Sequence, residues 1–528
     1  MKFRNENDIT HSLDTGNHLP YRVRVADVAS RWVKVLDQTR CIGCHACTTA
    51  CKSENEVPLG VTRTYVKSVD VGIFPTARRA FQVTRCNQCD DAPCVESCPT
   101  GAMYRRPDGI VDFDKRVCIG CKACMAACPY DAVFINPEDH SAEKCNFCAH
   151  RLDLGLEPAC VVVCPVEAIS VGDLGDPASK VAHLVHRSPV AVRRPEKETR
   201  PGVFYRGASV FTLDPLAAAR PAGDIYAWAG QGPAGPRKVA AGDPRRHNSS
   251  AAAIVSYDVP HEAPWGWRVS LYTWTKGIAA GVYLAPLVLV LAGRLAWSSA
   301  LFRWAAPALA LASLAATGGL LVWDLKHPWR FWMLFVRPQW RSWLVRGGVV
   351  ITAYGGVLVA ALGSSAAGSR AAEQVVAGFG LPLAALTAGY TAYLFAQARG
   401  RDLWQSQLLA PHLLVQALMV GAAALFLVGA PIGTAGTGLS ELLAATAALH
   451  LVMVAGEAMP RHPTAHAHLA VTEMVEGRFA VFFWGGIALS AVAVATPWDG
   501  VAGAVAALLG VAGHKHAYVQ AGQAVPLA

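Results

Sequence analysis

The chain has 528 residues, 53% of them hydrophobic and only 16% charged, with a formal net charge of +9. The unevenness of this composition excludes a single soluble globule: the sequence reads as soluble to about residue 264 and as membrane beyond it. No basic stripe with interleaved aromatics supports nucleic acid as a partner, and lysine and arginine near membrane ends account better for the positive charge.

From the N-terminus, Met1 to Pro20 is polar and lacks an apolar core segment, so neither a secretory signal nor a twin arginine is expected there. Export bound to a signal-bearing partner stays open. All sixteen cysteines then follow between Cys41 and Cys164 in four sets. They are Cys41-Cys44-Cys47-Cys51, Cys86-Cys89-Cys94-Cys98, Cys118-Cys121-Cys124-Cys128 and Cys145-Cys148-Cys160-Cys164. Cys98, Cys128 and Cys164 each precede proline. The first and third sets follow, or nearly follow, the C-x2-C-x2-C-x3-C-P run of bacterial ferredoxins, whose last cysteine ligates the other cluster of a pair. A short loop with two-residue gaps can wrap one side of a cubane and supply three thiolates, so sixteen ligands suggest four [4Fe–4S] clusters in two pairs. Zinc is the competing reading, but a four-cysteine zinc site uses two separated pairs, not three cysteines within seven residues. A disulfide framework fits these short gaps less well.

The four sets, with the long gap between Cys148 and Cys160, resemble the four-cluster electron-transfer subunit of the dimethyl sulfoxide reductase and polysulfide reductase family, over residues of roughly 25–200. The resemblance implies that the first set pairs with the fourth and the second with the third. One cluster would then take Cys41, Cys44, Cys47 and Cys164, and another Cys51, Cys145, Cys148 and Cys160. A third would take Cys86, Cys89, Cys94 and Cys128, and the last Cys98, Cys118, Cys121 and Cys124. Cys51 departs slightly from the pattern, since Lys52 follows it where a proline is usual.

Residues 171–264 are rich in Gly, Pro, Ala and Arg, and Pro233 to Arg246 reads as a flexible or surface-running linker. The expected organisation is a cluster domain over 1–200, a linker over 201–264 and a membrane domain over 265–528. Crossing a bilayer takes about 20 mostly apolar residues. Eight candidates qualify, at roughly 269–293, 304–323, 343–363, 375–397, 408–430, 439–458, 478–497 and 499–519. His514, Lys515 and His516 crowd the end of the last, which is the weakest. Gly277 and Gly281 form a small-xxx-small contact. The expected fold is thus an α+β ferredoxin-like domain with four [4Fe–4S] clusters, fused to an all-α eight-helix transmembrane bundle.

Eight spans put both ends on one side, here called the cluster side. Its loops carry Lys326, Arg330, Arg337, Arg341, Arg399 and Arg401, against Arg294, Arg303 and Arg370 opposite. The positive-inside rule then places the cluster domain on the cytoplasmic face of the cell inner membrane. The membrane half is similar to NrfD-type anchors of the same reductases at Trp265-Gly-Trp-Arg268, Trp274-Thr-Lys-Gly277, Asp324-Leu-Lys-His-Pro-Trp-Arg-Phe-Trp332 and Arg337-Pro-Gln-Trp-Arg-Ser-Trp343. This likeness implies a quinone, ubiquinone or menaquinone, bound close to the nearest cluster.

Ionisable residues inside spans are functional candidates. Tyr272, Lys276 and Tyr283 share a face of the first span, Asp324 and His327 close the second, and Tyr354 lies in the third. Quinone chemistry moves two protons with two electrons, and histidine and carboxylate suit a proton relay. Lys276, Asp324, His327 and Tyr354 are therefore the candidate quinone-site residues, with interfacial snorkelling the competing reading for Asp324 and His327. Thr446, His450 and Glu457 stripe the sixth span as a proton path or as packing glue. A haem would need two facing histidines. His412 is the only good partner for His450, and no haem is expected.

The chain reads as the electron-transfer and membrane-anchor part of a respiratory oxidoreductase. Terminal catalysis would lie on a partner, by resemblance a subunit carrying molybdopterin bis-guanine dinucleotide. Two other readings compete: a proton-translocating energy-coupling subunit using Glu457, Glu473 and Glu476, and a passive anchor whose clusters serve a soluble acceptor. The sequence chooses neither terminal substrate nor direction of electron flow.

Overall fold

A computed structural model describes residues 30–72, 75, 77–219, 253–430, 438–459 and 462–528. The N-terminal stretch and the middle of the expected linker, including Pro233 to Arg246, lie outside the described residues.

The first half is α+β, built from small sheets. Trp32–Asp37 is one of two inner strands of a four-stranded sheet, parallel to the other, Val203–Arg206, and antiparallel to the edge strand Ile169–Asp173, with Val190–Ala191 at the opposite edge. Its residues alternate faces, as strand geometry demands. Val33 and Val35 pack with Leu174 and Phe204 on one side, while Leu36 packs with Cys47 and Tyr205 on the other. A second sheet joins Ala253–Tyr257, Thr64–Val71 and Arg78–Arg85. Two short hairpins complete the half, Met103–Arg105 with Val111–Phe113 and Phe134–Ile135 with Ala142–Glu143. Both larger sheets recruit strands from beyond residue 200, so the expected linker begins and ends in paired strands. Those strands have four and five residues, too short to stand out against the Gly- and Pro-rich surroundings.

Short helices follow the cysteine loops: α1 (Ala46–Glu54), α2 (Pro93–Ser97), α3 (Ala123–Ala127), α4 (Ala149–Leu152) and α5 (Ala159–Val162). Helix α6 (Lys180–Arg187) covers the four-stranded sheet with Val181 and Val185, and α7 (Val210–Leu213) follows the strand Val203–Arg206.

The second half is helical: α8 (Trp267–Leu291), α9 (Ala306–Asp324), α10 (Met333–Val336), α11 (Trp343–Ala366), α12 (Arg370–Ala396), α13 (Leu409–Gly429), α14 (Leu439–Ala458), α15 (Ala465–Val475), α16 (Ala480–Val494), α17 (Thr496–Asp499) and α18 (Val501–Gly522). Helices thus stand at all eight expected places. Among the described residues, six are long and apolar enough to cross a membrane: α8, α9 with the turn before it, and α11 to α14. Helices α15 and α16 meet the same test only together, across a 71° bend. Helix α18 carries His514, Lys515 and His516 and is not among the six. The close approach foreseen at Gly277 and Gly281 occurs at Gly281, where a Cβ would overlap the Ala417 carbonyl of α13. Gly277 has ordinary room, with Val420 at 3.7 Å from a built Cβ.

Candidate functional site

The cysteine loops share one backbone device. In each set the residue two places after the first cysteine is left-handed: Gly43 at φ 70°, Gln88 at 49°, Gly120 at 67° and Phe147 at 59°. Three closing cysteines repeat a second device, with positive φ three places on, at Gly101, Asp131 and Glu167. Left-handed residues curl successive N–H groups into a concavity that receives anions, as at many iron–sulfur sites. Non-glycine residues adopt this region at a cost, so Gln88 and Phe147 mark turns that the fold enforces. Backbone N–H groups reach the sulfurs: Gln88 to Cys86 at 3.5 Å, Met103 to Cys98 at 3.3 Å, Ala142 to Cys118 at 3.4 Å and Ala168 to Cys164 at 3.2 Å.

Chain-distant cysteines meet. Burial raises the Cys51 thiol to about 12, and the charges of Cys145, Cys160 and Cys148 add to the rise. Burial likewise raises Cys41, with Cys164 and Cys44 as its charged neighbours, while Cys89 lies among Cys86, Cys94 and Cys128. Cys98, Cys118, Cys121 and Cys124 line a single small cavity. Among the described residues no three His, Cys, Asp or Glu stand close enough to hold one metal ion. Thiolates around a cube surround space in this way, whereas ligands of one zinc ion converge on a point at about 2.3 Å.

Cys160 differs from the rest. Burial raises its thiol, but the charges of Lys34 and Arg85 outweigh that and bring it down to about 7. Lys34 Nζ lies 3.5 Å and Arg85 Nη1 3.2 Å from its sulfur, both donors being buried.

The set around Cys121 docks on the helical half. Lys326 N donates to Gly120 O at 3.3 Å and His327 N to Ile119 O at 3.2 Å. Arg330 Nη1 donates to the carbonyls of Lys115 and Cys118, at 3.0 and 2.9 Å. Lys122 pairs with Asp324 at 2.9 Å, each about one-tenth exposed. Gly120 is left-handed, and a Cβ there would overlap Lys326, so only glycine suits this loop. The C-terminal end tucks into the cluster half, where Leu527 N donates to Asp131 Oδ2 at 3.1 Å.

Next to this dock lies an apolar cavity of about 280 Å³. Cys121 and Ile119 form its cluster-side wall, and Trp265, Tyr272, Asp324, Thr352 and Tyr390 supply polar groups. Of the four residues expected at a quinone site, Asp324 lines the cavity. Lys276 stands behind its wall, 4.1 Å from the Tyr390 ring centroid and bonded to Thr391 and to Ala388 O. His327 faces the cluster half, its ring 6.4 Å from that of His140. Tyr354 lies apart, donating to Ala279 O at 2.8 Å and packing on Tyr283. It is a satisfied core tyrosine, which a single polar residue in an apolar span does not reveal. Sequence reasoning missed Tyr390; Tyr272 was marked by its four-residue spacing from Lys276 but left out of the site.

His412 and His450 do approach each other, but by direct bonding: His412 Nε2 is 2.7 Å from His450 Nδ1. Two haem ligands would need an iron between those nitrogens.

Comparison with known proteins fits these two halves. A family model described as polysulphide reductase, NrfD, matches residues 256–524, and one described as a 4Fe-4S dicluster domain matches residues 77–174. A subunit of tetrathionate reductase from Salmonella typhimurium is 44% identical over 194 residues, which are 35% of this chain and 76% of that protein. Protein NrfC of Escherichia coli is 42% identical over 177 residues, 33% of this chain and 79% of its own length. One component of polysulfide reductase from Wolinella succinogenes is 41% identical over 180 residues, 34% of this chain and 94% of the relative. The protein therefore belongs to the polysulphide reductase NrfD family, as an integral membrane protein in which an iron–sulfur electron-transfer subunit is fused to an NrfD-type anchor.

Proposed function

We propose that this chain is the quinone-reactive electron conduit of a respiratory reductase complex. It would hold four [4Fe–4S] clusters on its sixteen cysteines, grouped as the family resemblance implies, in a ferredoxin-like arrangement. The clusters, when bound, supply one-electron transfer. The chain's own residues supply thiolates, inward N–H groups and the cations Lys34 and Arg85. Proximity between cysteines of different groups supports one order: Cys47 near Cys160, Cys86 near Cys145, and Cys124 near Cys94. The proposed path would run from the Cys41 group through the Cys51 and Cys86 groups to the Cys98 group.

The single observation that carries the reading is Cys121. It lines both the cavity of the Cys98 group and the apolar cavity of the membrane half. A quinone ring in the second cavity would sit against a ligand of the last cluster, within reach of Tyr272, Asp324 and Tyr390. Apolar walls with a few convergent polar groups suit such a ligand. Lys276 would support this wall from behind and His327 the dock. Tyr354, despite its place in the expected site, is better read as packing.

The proposed partner is a catalytic subunit, because relatives named above are single subunits of reductases; the family resemblance implies that it carries molybdopterin. The loop charges favour the cytoplasmic face of the inner membrane for the clusters, and eight crossings, counting α16 and α18, would return the chain to its starting side. Anaerobic purification with iron analysis and mass spectrometry of bound partners tests this reading. About sixteen irons per chain and a molybdenum-containing partner are expected. Eight irons, or a partner without molybdenum, would contradict it.

A further inference from the structure

A second buried cluster of ionisable groups lies beside the quinone cavity, in the part of the bundle nearest the cluster half. His412 stands in the first turn of α13 and Glu457 in the last turn of α14, both at the cluster-side ends of their helices. His412 Nδ1 is 3.0 Å from Glu457 Oε2, and its Nε2 meets His450 Nδ1. Gln416 Nε2 lies 3.2 Å from both His412 Nε2 and His514 Nδ1. The three imidazole rings stand 5.0 to 5.4 Å apart, centroid to centroid. All of these side chains are buried.

Such a network could simply hold helices together. Three observations point further. First, it is not closed: Glu457 Oε1, Gln416 Oε1 and His450 Nε2 have no partner among the described residues. Packing glue would leave few such orphans, because each is costly. Second, His412, Gln416, Glu457, His514 and Lys515 share a small cavity of about 20 Å³ with Thr391. Small as it is, this space admits about one water, within reach of the side chains of the network. Third, Thr391 is the hinge between the two cavities. It lines this cavity and accepts from Lys276, one turn along α8 from Tyr272, whose ring lines the quinone cavity.

We propose that this network is a proton relay between the quinone cavity and the cluster side of the membrane, with Thr391 and Lys276 at its inner end and Glu457 at its outer end. The proposal rests on the quinone reading above. Reduction of one quinone consumes two electrons, delivered singly by the clusters, and two protons, one for each ring oxygen. The relay supplies the protons and runs backwards for quinol oxidation. Imidazoles pass a proton by taking it on one nitrogen and releasing another from the second. Here a proton taken up by Glu457 goes to His412 Nδ1, while the proton on His412 Nε2 moves on to His450 Nδ1 or, through water in the shared cavity, towards His514, with Gln416 orienting the rings. Helix α16 packs against His514 with Gly486 and Phe483 and brings no ionisable group. Tyr518 beside Glu457 and Lys515 beside His514 complete the titratable surroundings. Beyond His450 no hydrogen bond among the described residues carries the relay to the far side, so the protons exchange on the same side as the clusters.

The test uses the full chain with its clusters, in lipid nanodiscs. Clusters are reduced with dithionite, excess reductant is removed, and menadione is mixed in while the visible absorbance of the clusters recovers. Glu457→Gln and His412→Ala are each expected to slow recovery at least 10-fold, to enlarge the solvent deuterium isotope effect, and, for His412→Ala, to regain speed with added imidazole. Oxidation by ferricyanide, which takes no protons, should keep its wild-type rate, which shows that the variants are folded and loaded. Wild-type recovery with an unchanged isotope effect in both variants would overturn the relay. Loss of the ferricyanide rate as well, without imidazole rescue, would make the network structural and also overturn it. A wild-type protein that responds to ferricyanide but never to menadione would overturn the quinone reading itself, and the relay with it.

Discussion

The two halves both bury charge-bearing groups away from water, but they stabilise them in opposite ways. In the cluster half, anionic sulfurs are met by inward backbone N–H groups and, at Cys160, by Lys34 and Arg85. In the membrane half, the polar groups of α13, α14 and α18 mostly meet one another, leaving open valences beside a cavity. Fixed charge with fixed donors suits electron transfer, which wants little rearrangement. An open network of imidazole, carboxylate and amide suits proton transfer, which needs groups that can change state.

The comparison breaks most visibly at the cysteines. Cys98→Ala removes a ligand from the cavity nearest the membrane half. Iron content should fall by about a quarter, and electron exchange with a quinone should fall by orders of magnitude while the other clusters keep their EPR signals. In the bundle, Gly281→Leu drives a side chain into the Ala417 carbonyl and the backbone of Gly421. Overpacking of that kind costs about 3 kcal/mol or more, which a lowered thermal midpoint in detergent would show.

Smaller effects sharpen the contrast. Arg85→Met removes a buried cation that donates to Cys160. A reduced cluster carries more negative charge, so losing the cation should lower the potential of the cluster bound there. A drop on the order of 60 mV is expected, one decade for a one-electron couple, and an EPR redox titration reads it. The smallest effect concerns His327 in the dock. Burial first, and then the charges of Arg330 and His140, hold its ring below the ordinary histidine range. The unfolded state therefore binds the proton first as pH falls below about 6.5. Stability of the dock should be full above that pH and decline as pH drops through the folded value. His327→Asn should flatten the pH dependence of the thermal midpoint.

The cysteine half was the more legible because its chemistry is local. Loop spacing carries the ligand pattern, and Gly43 and Gly120 mark the left-handed turns. Gln88 and Phe147 take the same turn without a glycine to announce it, so the repeat of the device emerges only from the backbone. The strands Val203–Arg206 and Ala253–Tyr257 escaped because they pair with partners far away in sequence. In the membrane half, helices follow from apolar runs, but which polar residues meet depends on how helices rotate against each other. His412, Glu457 and His514 lie on three helices, and no period within one span joins them. Asp324 reached the expected cavity because the end of its helix was already placed against the clusters, whereas Tyr354 pointed into packing.

The central claim is that the Cys98 group and the apolar cavity form one electron-transfer junction across Cys121. EPR of the dithionite-reduced protein, with and without menadione and a tight-binding quinone-site inhibitor, tests it most directly. Menadione should oxidise the clusters, and the inhibitor should both block this and alter the signal of one cluster, the one lost in Cys98→Ala. Clusters that menadione cannot oxidise, or an inhibitor that leaves every signal unchanged, would contradict it.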